Sequence, residues 1–110
     1  SYLKRGHSKQ MTGDYNGAIM DYNKAILIHR NYTMVYKERA ICRFETGNFK
    51  GTIADCNKVL KKKPQNKYAL LFRGKAKVQL KKLQSACVDL KKAGALGMSE
   101  AYKVMKTSCK

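Results

Sequence analysis

One feature of this chain restricts its fold more than any other: it repeats itself every 34 residues. An acid and a lysine three residues apart, Asp21 and Lys24 in DYNKAI, return as Asp55 and Lys58 in DCNKVL and as Asp89 and Lys92 in DLKKAG. Shifted by the same interval, Tyr2 falls on Tyr36 and Leu70, Gly6 on Ala40 and Gly74, Tyr15 on Phe49 and Leu83, Ala18 on Thr52 and Ala86, and Ala25 on Val59 and Ala93. A period of roughly 20 to 50 residues marks stacked units, none of which can bury its apolar side alone. Within each unit the apolar residues keep helical spacing, as at Ala18, Ile19, Tyr22, Ala25 and Ile26, and Gly13 and Gly47 interrupt the first two units midway. Each unit therefore reads as a helical hairpin. Gly6 and Ala18 belong where the two helices cross, because small side chains there let the axes approach to about 8 to 10 Å.

The whole chain, 1-110, fits a single all-α domain. Its 44% hydrophobic content and single proline suit a packed core. No apolar run approaches the roughly 18 residues of a membrane span, the longest being YALLF at 68–72. The chain opens at Ser1 with no methionine or signal peptide, as a piece cut from a longer protein would. Charge is the outlier of the composition. There are 24 Lys and Arg against 7 Asp and Glu, a net +17, and the excess rises along the chain from +3 over residues 1–33 to +8 over residues 68–110. An acidic partner is one reading of that field.

The period and its aromatic, glycine, alanine and proline columns resemble the tetratricopeptide (TPR) repeat, a 34-residue helix-turn-helix unit. The resemblance covers nearly the whole chain, with repeats at about 1–32, 33–66 and 67–100 and a capping helix at 99–108. It implies a right-handed α-solenoid of three hairpins plus that cap. First helices are expected near 2–12, 33–46 and 67–80, second helices near 16–29, 50–62 and 84–95. In the cap, Ala101, Val104 and Met105 should turn inward and Lys103 and Lys106 outward, protecting the open end of the stack. Three places depart from the family pattern: Arg30 and Met98 replace the proline that Pro64 supplies, and Lys81 replaces the turn glycine.

Sixteen residues before each repeated aspartate stands an arginine, giving Arg5 with Asp21, Arg39 with Asp55 and Arg73 with Asp89. In an antiparallel hairpin these lie about one turn apart, within reach of a guanidinium, so they are candidate interhelical ion pairs. The alternative is a solvated face on which the aspartates offset lysines at i+3. Either role is structural. Catalytic constellations are missing: His7 and His29 are isolated, no phosphate loop occurs, and no serine or cysteine has a base at recognisable spacing. No enzyme activity, cofactor or metal is expected. Cys42, Cys56, Cys87 and Cys109 have no C-x-x-C spacing, and the first three fall in packing columns, so they read as reduced core thiols in a reducing, cytoplasmic setting.

Binding is what remains. In TPR proteins the first helices line a concave groove that takes an extended peptide or a helix. By helical phase the corresponding stripe is Leu3, His7, Gln10 and Met11, then Met34, Lys37, Ile41, Phe44 and Glu45, then Tyr68, Leu71, Lys75, Val78 and Gln79. Met34, Ile41, Phe44, Tyr68 and Leu71 are then partner anchors, or else some of them turn inward and complete the core. The chaperone-tail binders of the family hold a terminal carboxylate with lysines, asparagines and an arginine, and the matching places here are Leu3, His7, Glu38, Tyr68 and Phe72. That clamp is absent. The reading adopted is a non-catalytic protein-interaction scaffold. Its alternative is a nucleic-acid or other polyanion binder using the outer and loop-edge lysines Lys50, Lys58, Lys61, Lys62, Lys63, Lys67, Lys81, Lys82, Lys91 and Lys92. Those runs lack interleaved aromatics, so such contacts would be non-specific and salt-sensitive.

Overall fold

The computed structural model describes residues 1–109. Seven helices follow one another: α1 (Tyr2–Met11), α2 (Tyr15–Ile28), α3 (Thr33–Glu45), α4 (Phe49–Lys62), α5 (Lys67–Gln79), α6 (Leu83–Ala95) and α7 (Ser99–Ser108). Local signals set most of the boundaries. Side chains of Ser1, Asp14, Asn48 and Asn66 cap α1, α2, α4 and α5 by accepting from a backbone N–H three residues on. Gly13 and Gly47 turn the first two hairpins with φ of 87° and 84°, a conformation that costs a residue with a Cβ.

The helices pair within each hairpin, and each second helix packs on the first helix of the next unit, so the molecule is an elongated α-solenoid of 44 × 26 × 22 Å. Its core is three clusters, one per level. The first gathers Ala18, Tyr22, Ala25, Val35 and Cys42; the second Tyr36, Ala40, Cys56, Val59 and Ala69; the third Leu70, Leu71, Leu90, Ala93 and Ala101. Side-chain volumes are matched across each hairpin. A methyl group on Gly6 would stand 2.8 Å from the Tyr22 ring and one on Gly74 would stand 2.8 Å from Leu90. In the middle hairpin the smaller Cys56 leaves room for Ala40, which shares its cluster.

The end of the array differs from its interior. The third turn keeps the shape of the other two although Lys81 must take φ 63° and Lys82 supplies no side-chain cap. In α7, Ala101 is buried, Val104 and Met105 are half-buried against the third cluster, and Lys103 and Lys106 are exposed. Two cysteines depart from the sequence reading. Cys87 and Cys109 form a disulfide across 22 residues, because α7 folds back along α6 and brings their Cα atoms to 5.8 Å. Free, buried thiols remain at Cys42 and Cys56. The expectation of four reduced thiols is therefore corrected for Cys87 and Cys109, and with it goes the ground on which a reducing compartment was inferred.

Candidate peptide-binding groove and the ion-pair ladder behind it

The first helices carry two different faces. Toward its own hairpin partner each presents an arginine. Arg5 donates through Nε and Nη2 to both carboxylate oxygens of Asp21 at 3.0 and 2.7 Å, Arg39 to those of Asp55 at 2.9 and 2.8 Å, and Arg73 to those of Asp89 at 2.8 and 2.7 Å. This fork geometry suits a planar guanidinium and would not be reproduced by lysine. Each buried aspartate also receives a second cation one turn further along the first helix: Lys9 at 3.1 Å, Arg43 at 3.1 Å and Lys77 at 2.8 Å. Repeats are linked as well, since Arg39 donates to Asn23 Oδ1 at 2.8 Å and Arg73 to Asn57 Oδ1 at 2.9 Å. Arg5 is the most exposed of the three arginines and has no such asparagine contact among the described residues.

These second contacts were not read from the sequence, although the signal was present. Lys9, Arg43 and Lys77 form a 34-residue column, as do Asn23 and Asn57, and the asparagine column becomes Lys91 where no further arginine follows. The hydrogen bond from Arg5 holds the Asp21 carboxyl at about 2. Burial pushes the Asp89 carboxyl up, but the hydrogen bonds from Arg73 and Lys77 outweigh it and the net shift is downward.

On the other face lies the apolar stripe. Met34 and Tyr68 are 43% and 41% exposed. Ile41, Phe44 and Val78 are half-buried, Val78 against the third core cluster. Phe44 meets Phe72 edge to face, with ring centroids 5.7 Å apart, and Phe49 in the same manner at 5.4 Å. Lysines lie on these rings: Lys75 Nζ is 4.8 Å from the Phe44 centroid and 4.9 Å from that of Phe72, and Lys37 Nζ is 4.8 Å from that of Tyr68. Lys75 also bonds Glu100 of α7 at 2.7 Å, joining the end of the stripe to the cap. Toward the N-terminal end, Leu3, His7, Met34 and Glu38 border a cavity of about 460 Å³ floored by Tyr22.

Leu71 does not belong to this surface. It is 1% exposed and sits in the third core cluster with Leu70 and Leu90, so its assignment as a groove anchor is corrected. The reason is register: α5 is apolar on adjacent positions through YALLF, and both Leu70 and Leu71 are drawn inward between α6 and α7. Phe72, absent from the anchor set, takes part in the stripe instead. Lys67, expected on the basic outer edge, lies half-buried at the groove's lip with Nζ 5.6 Å from the Tyr68 ring centroid. The other nine lysines of that edge are exposed.

Reactive chemistry has little to build on. Burial pushes the thiols of Cys42 and Cys56 up to about 12, which removes them as nucleophiles. Among the described residues, no group of three or more His, Cys, Asp or Glu side chains is placed to hold a metal, and no helix is long and apolar enough to cross a membrane.

A solenoid of antiparallel helix pairs with this repeat length is a class of fold that displays one continuous concave surface. In its arrangement of three hairpins and a terminal helix, the chain is a tetratricopeptide-repeat domain by fold, and solved TPR domains superpose on it closely. The first TPR of Spaghetti (RPAP3), bound to the HSP90 peptide SRMEEVD, matches with a TM-score of 0.92 and 24% identity over 98% of this chain and 87% of its own. The second TPR domain of human RPAP3, in complex with the HSP70 peptide SGPTIEEVD, matches with a TM-score of 0.90 and 23% identity over 100% and 93%. In sequence, the chain is 33% identical over 89 residues to human sperm-associated antigen 1, covering 81% of this chain. It spans about a tenth of the length of the curated relatives it matches. No family model matches the chain.

Proposed function

We propose that this domain is a non-catalytic protein-interaction scaffold whose concave face binds a peptide or helix of another protein. The observation that carries the reading is the half-exposed stripe of Met34, Lys37, Ile41, Phe44, Tyr68, Phe72 and Lys75 on the first helices. It is apolar surface that remains after every hairpin has buried a separate apolar side. Solved domains of the same fold bound to HSP90 and HSP70 peptides support a peptide as occupant. Their acidic tails need cations at the matching places, and here those hold Leu3, His7, Glu38, Tyr68 and Phe72. The peptide SRMEEVD should therefore bind no better than a scrambled control. Aromatic rings under lysines suit a segment that inserts apolar side chains and places an acid beside Lys37 or Lys75.

The test is peptide display against the domain, followed by affinity measurement of the selected sequences on Phe44→Glu. An apolar anchor fully buried by a partner is worth about 1.5 to 3 kcal/mol, and the variant adds a charge that the buried interface must desolvate, so it should bind them at least about tenfold more weakly. Selected peptides that bind Phe44→Glu as tightly as the parent would move the site off the concave face.

A further inference from the structure

A second concavity, of about 360 Å³, opens away from the groove where the first hairpin meets the second. Its walls carry four cations, Arg30, Lys58, Lys61 and Lys62, with the Asn31 amide and the Thr33 hydroxyl between them. No acid lines it, and among the described residues none of the four is in a salt bridge. All four are exposed; Lys58 lies over the Tyr36 ring as Lys24 lies over Tyr2, while Arg30, Lys61 and Lys62 have no salt-bridge or ring contact among the described residues. Crowding like charges around one hollow opposes folding rather than assisting it.

The repeat shows that this crowding is local. One period further on, Arg30, Lys61 and Lys62 are replaced by Pro64, Ala95 and Leu96; one period earlier, Lys61 and Lys62 correspond to Leu27 and Ile28. Arg30 stands where the fold's own punctuation favours proline. Lys61 and Lys62 also stand in the last turn of α4, where one cation suits the helix dipole, but Arg30 adds nothing to a helix end, and three departures from the repeat that converge on one cavity exceed what that turn needs.

We infer that this cavity binds the phosphate groups of a compact, multiply phosphorylated ligand. Guanidinium, ammonium, amide and hydroxyl donors meet there from three directions, and phosphate oxygens accept from all of them. A nucleic-acid strand fits less well. The cations converge on a hollow instead of tracking a line, and the one aromatic ring present, Tyr36, is buried with Lys58 and Arg39 lying over it at 5.4 and 5.5 Å, leaving no face for a base. A free ligand and a lipid headgroup present the same chemistry to these donors. This site is independent of the groove.

The experiment is calorimetric titration of the domain with inorganic tripolyphosphate at about 0.15 M ionic strength, where diffuse surface charge is screened beyond about 8 Å. Arg30→Gln/Lys61→Gln should lose about tenfold or more in affinity, as the removal of charged hydrogen-bond donors requires. Lys91→Gln/Lys92→Gln removes the same charge from exposed positions of α6 and should stay within about twofold. Unchanged thermal melts verify that both variants fold. Equal losses in the two variants, or no saturable binding below about 1 mM, overturn the site. So does a single-stranded oligonucleotide that binds more tightly than tripolyphosphate and depends on Lys91 and Lys92. Co-sedimentation with phosphatidylcholine vesicles containing phosphatidylinositol bisphosphate, competed by tripolyphosphate, then separates a headgroup from a free ligand; capture or its absence decides between these two sources once the titration has shown the site.

Discussion

In the second hairpin the turn between α3 and α4 places Gly47 in the left-handed region and lets Asn48 cap α4. In the third, the same two places hold Lys81, at φ 63°, and Lys82, which caps nothing. Behind the turns the two hairpins are alike: Asp55 takes Arg39 and Arg43, and Asp89 takes Arg73 and Lys77. The third hairpin has in addition what the second lacks, a covalent tie from Cys87 to Cys109 and the Lys75–Glu100 bridge to α7. The second hairpin relies on its own turn, whereas the third is held also by α7, which follows it.

The largest effect should come from the feature the hairpins share. Asp55→Ala and Asp89→Ala each strand two cations in a part-buried site and should cost about 3 to 5 kcal/mol in denaturant unfolding. A much smaller loss for Asp89→Ala would show that the α7 ties carry the third hairpin alone. Acid approaches the same ladder through titration. Asp21 and Asp89 have carboxyls held below the ordinary value of 3.8, Asp21 at about 2. For each the stabilisation is complete above the unfolded value of about 4 and is lost as the pH falls through the lowered native value, which for Asp21 is about 2. Thermal melts taken as the pH is lowered below about 4 should fall less steeply for Asp89→Asn than for the parent, and parallel curves would remove Asp89 from the account.

Next in size is the covalent tie. Closing a loop of this length is worth about 2 to 4 kcal/mol, so Cys109→Ser should lower stability by that amount, and the parent in reducing agent should match it. A parent indifferent to reductant would leave the third hairpin resting on packing and the Lys75–Glu100 bridge. The smallest effect belongs to the turns themselves. Lys81→Gly relieves a left-handed residue and should gain about 1 kcal/mol, while Gly47→Ala should lose a similar amount. If both changes are neutral, the two turns are equivalent after all.

The columns that repeat were readable because both neighbours of a repeated position repeat with it. Helix bounds fell within a residue or two of DYNKAI-type spacing and glycine placement, and the arginine–aspartate interval of 16 placed the partners on facing turns of one hairpin. The second cations at Lys9, Arg43 and Lys77 obeyed the same logic and could have been found by it. The partly exposed apolar stripe on the first helices was legible, but not its membership. Leu71 and Phe72 are adjacent in sequence, and only the seat of α5 between α4 and α6 decides that Leu71 is fully buried while Phe72, packed on the core, keeps part of its ring at the stripe.

What the amino-acid order determined by itself is therefore everything governed by local geometry and its periodic copies: seven helices, three hairpins, the small residues at the crossings and the paired charges behind the groove. Tertiary structure decided the rest, at places where the period stops or where separate repeats meet. Cys87 faces Cys109 because α7 packs against α6, Lys75 reaches Glu100 of that same helix, and Arg30 shares a cavity with Lys61 and Lys62 only because α3 packs against both α2 and α4. A column predicts a residue's surroundings while its neighbours are copies of one another. At an end or a junction they are not, and contact there depends on the path of the whole chain.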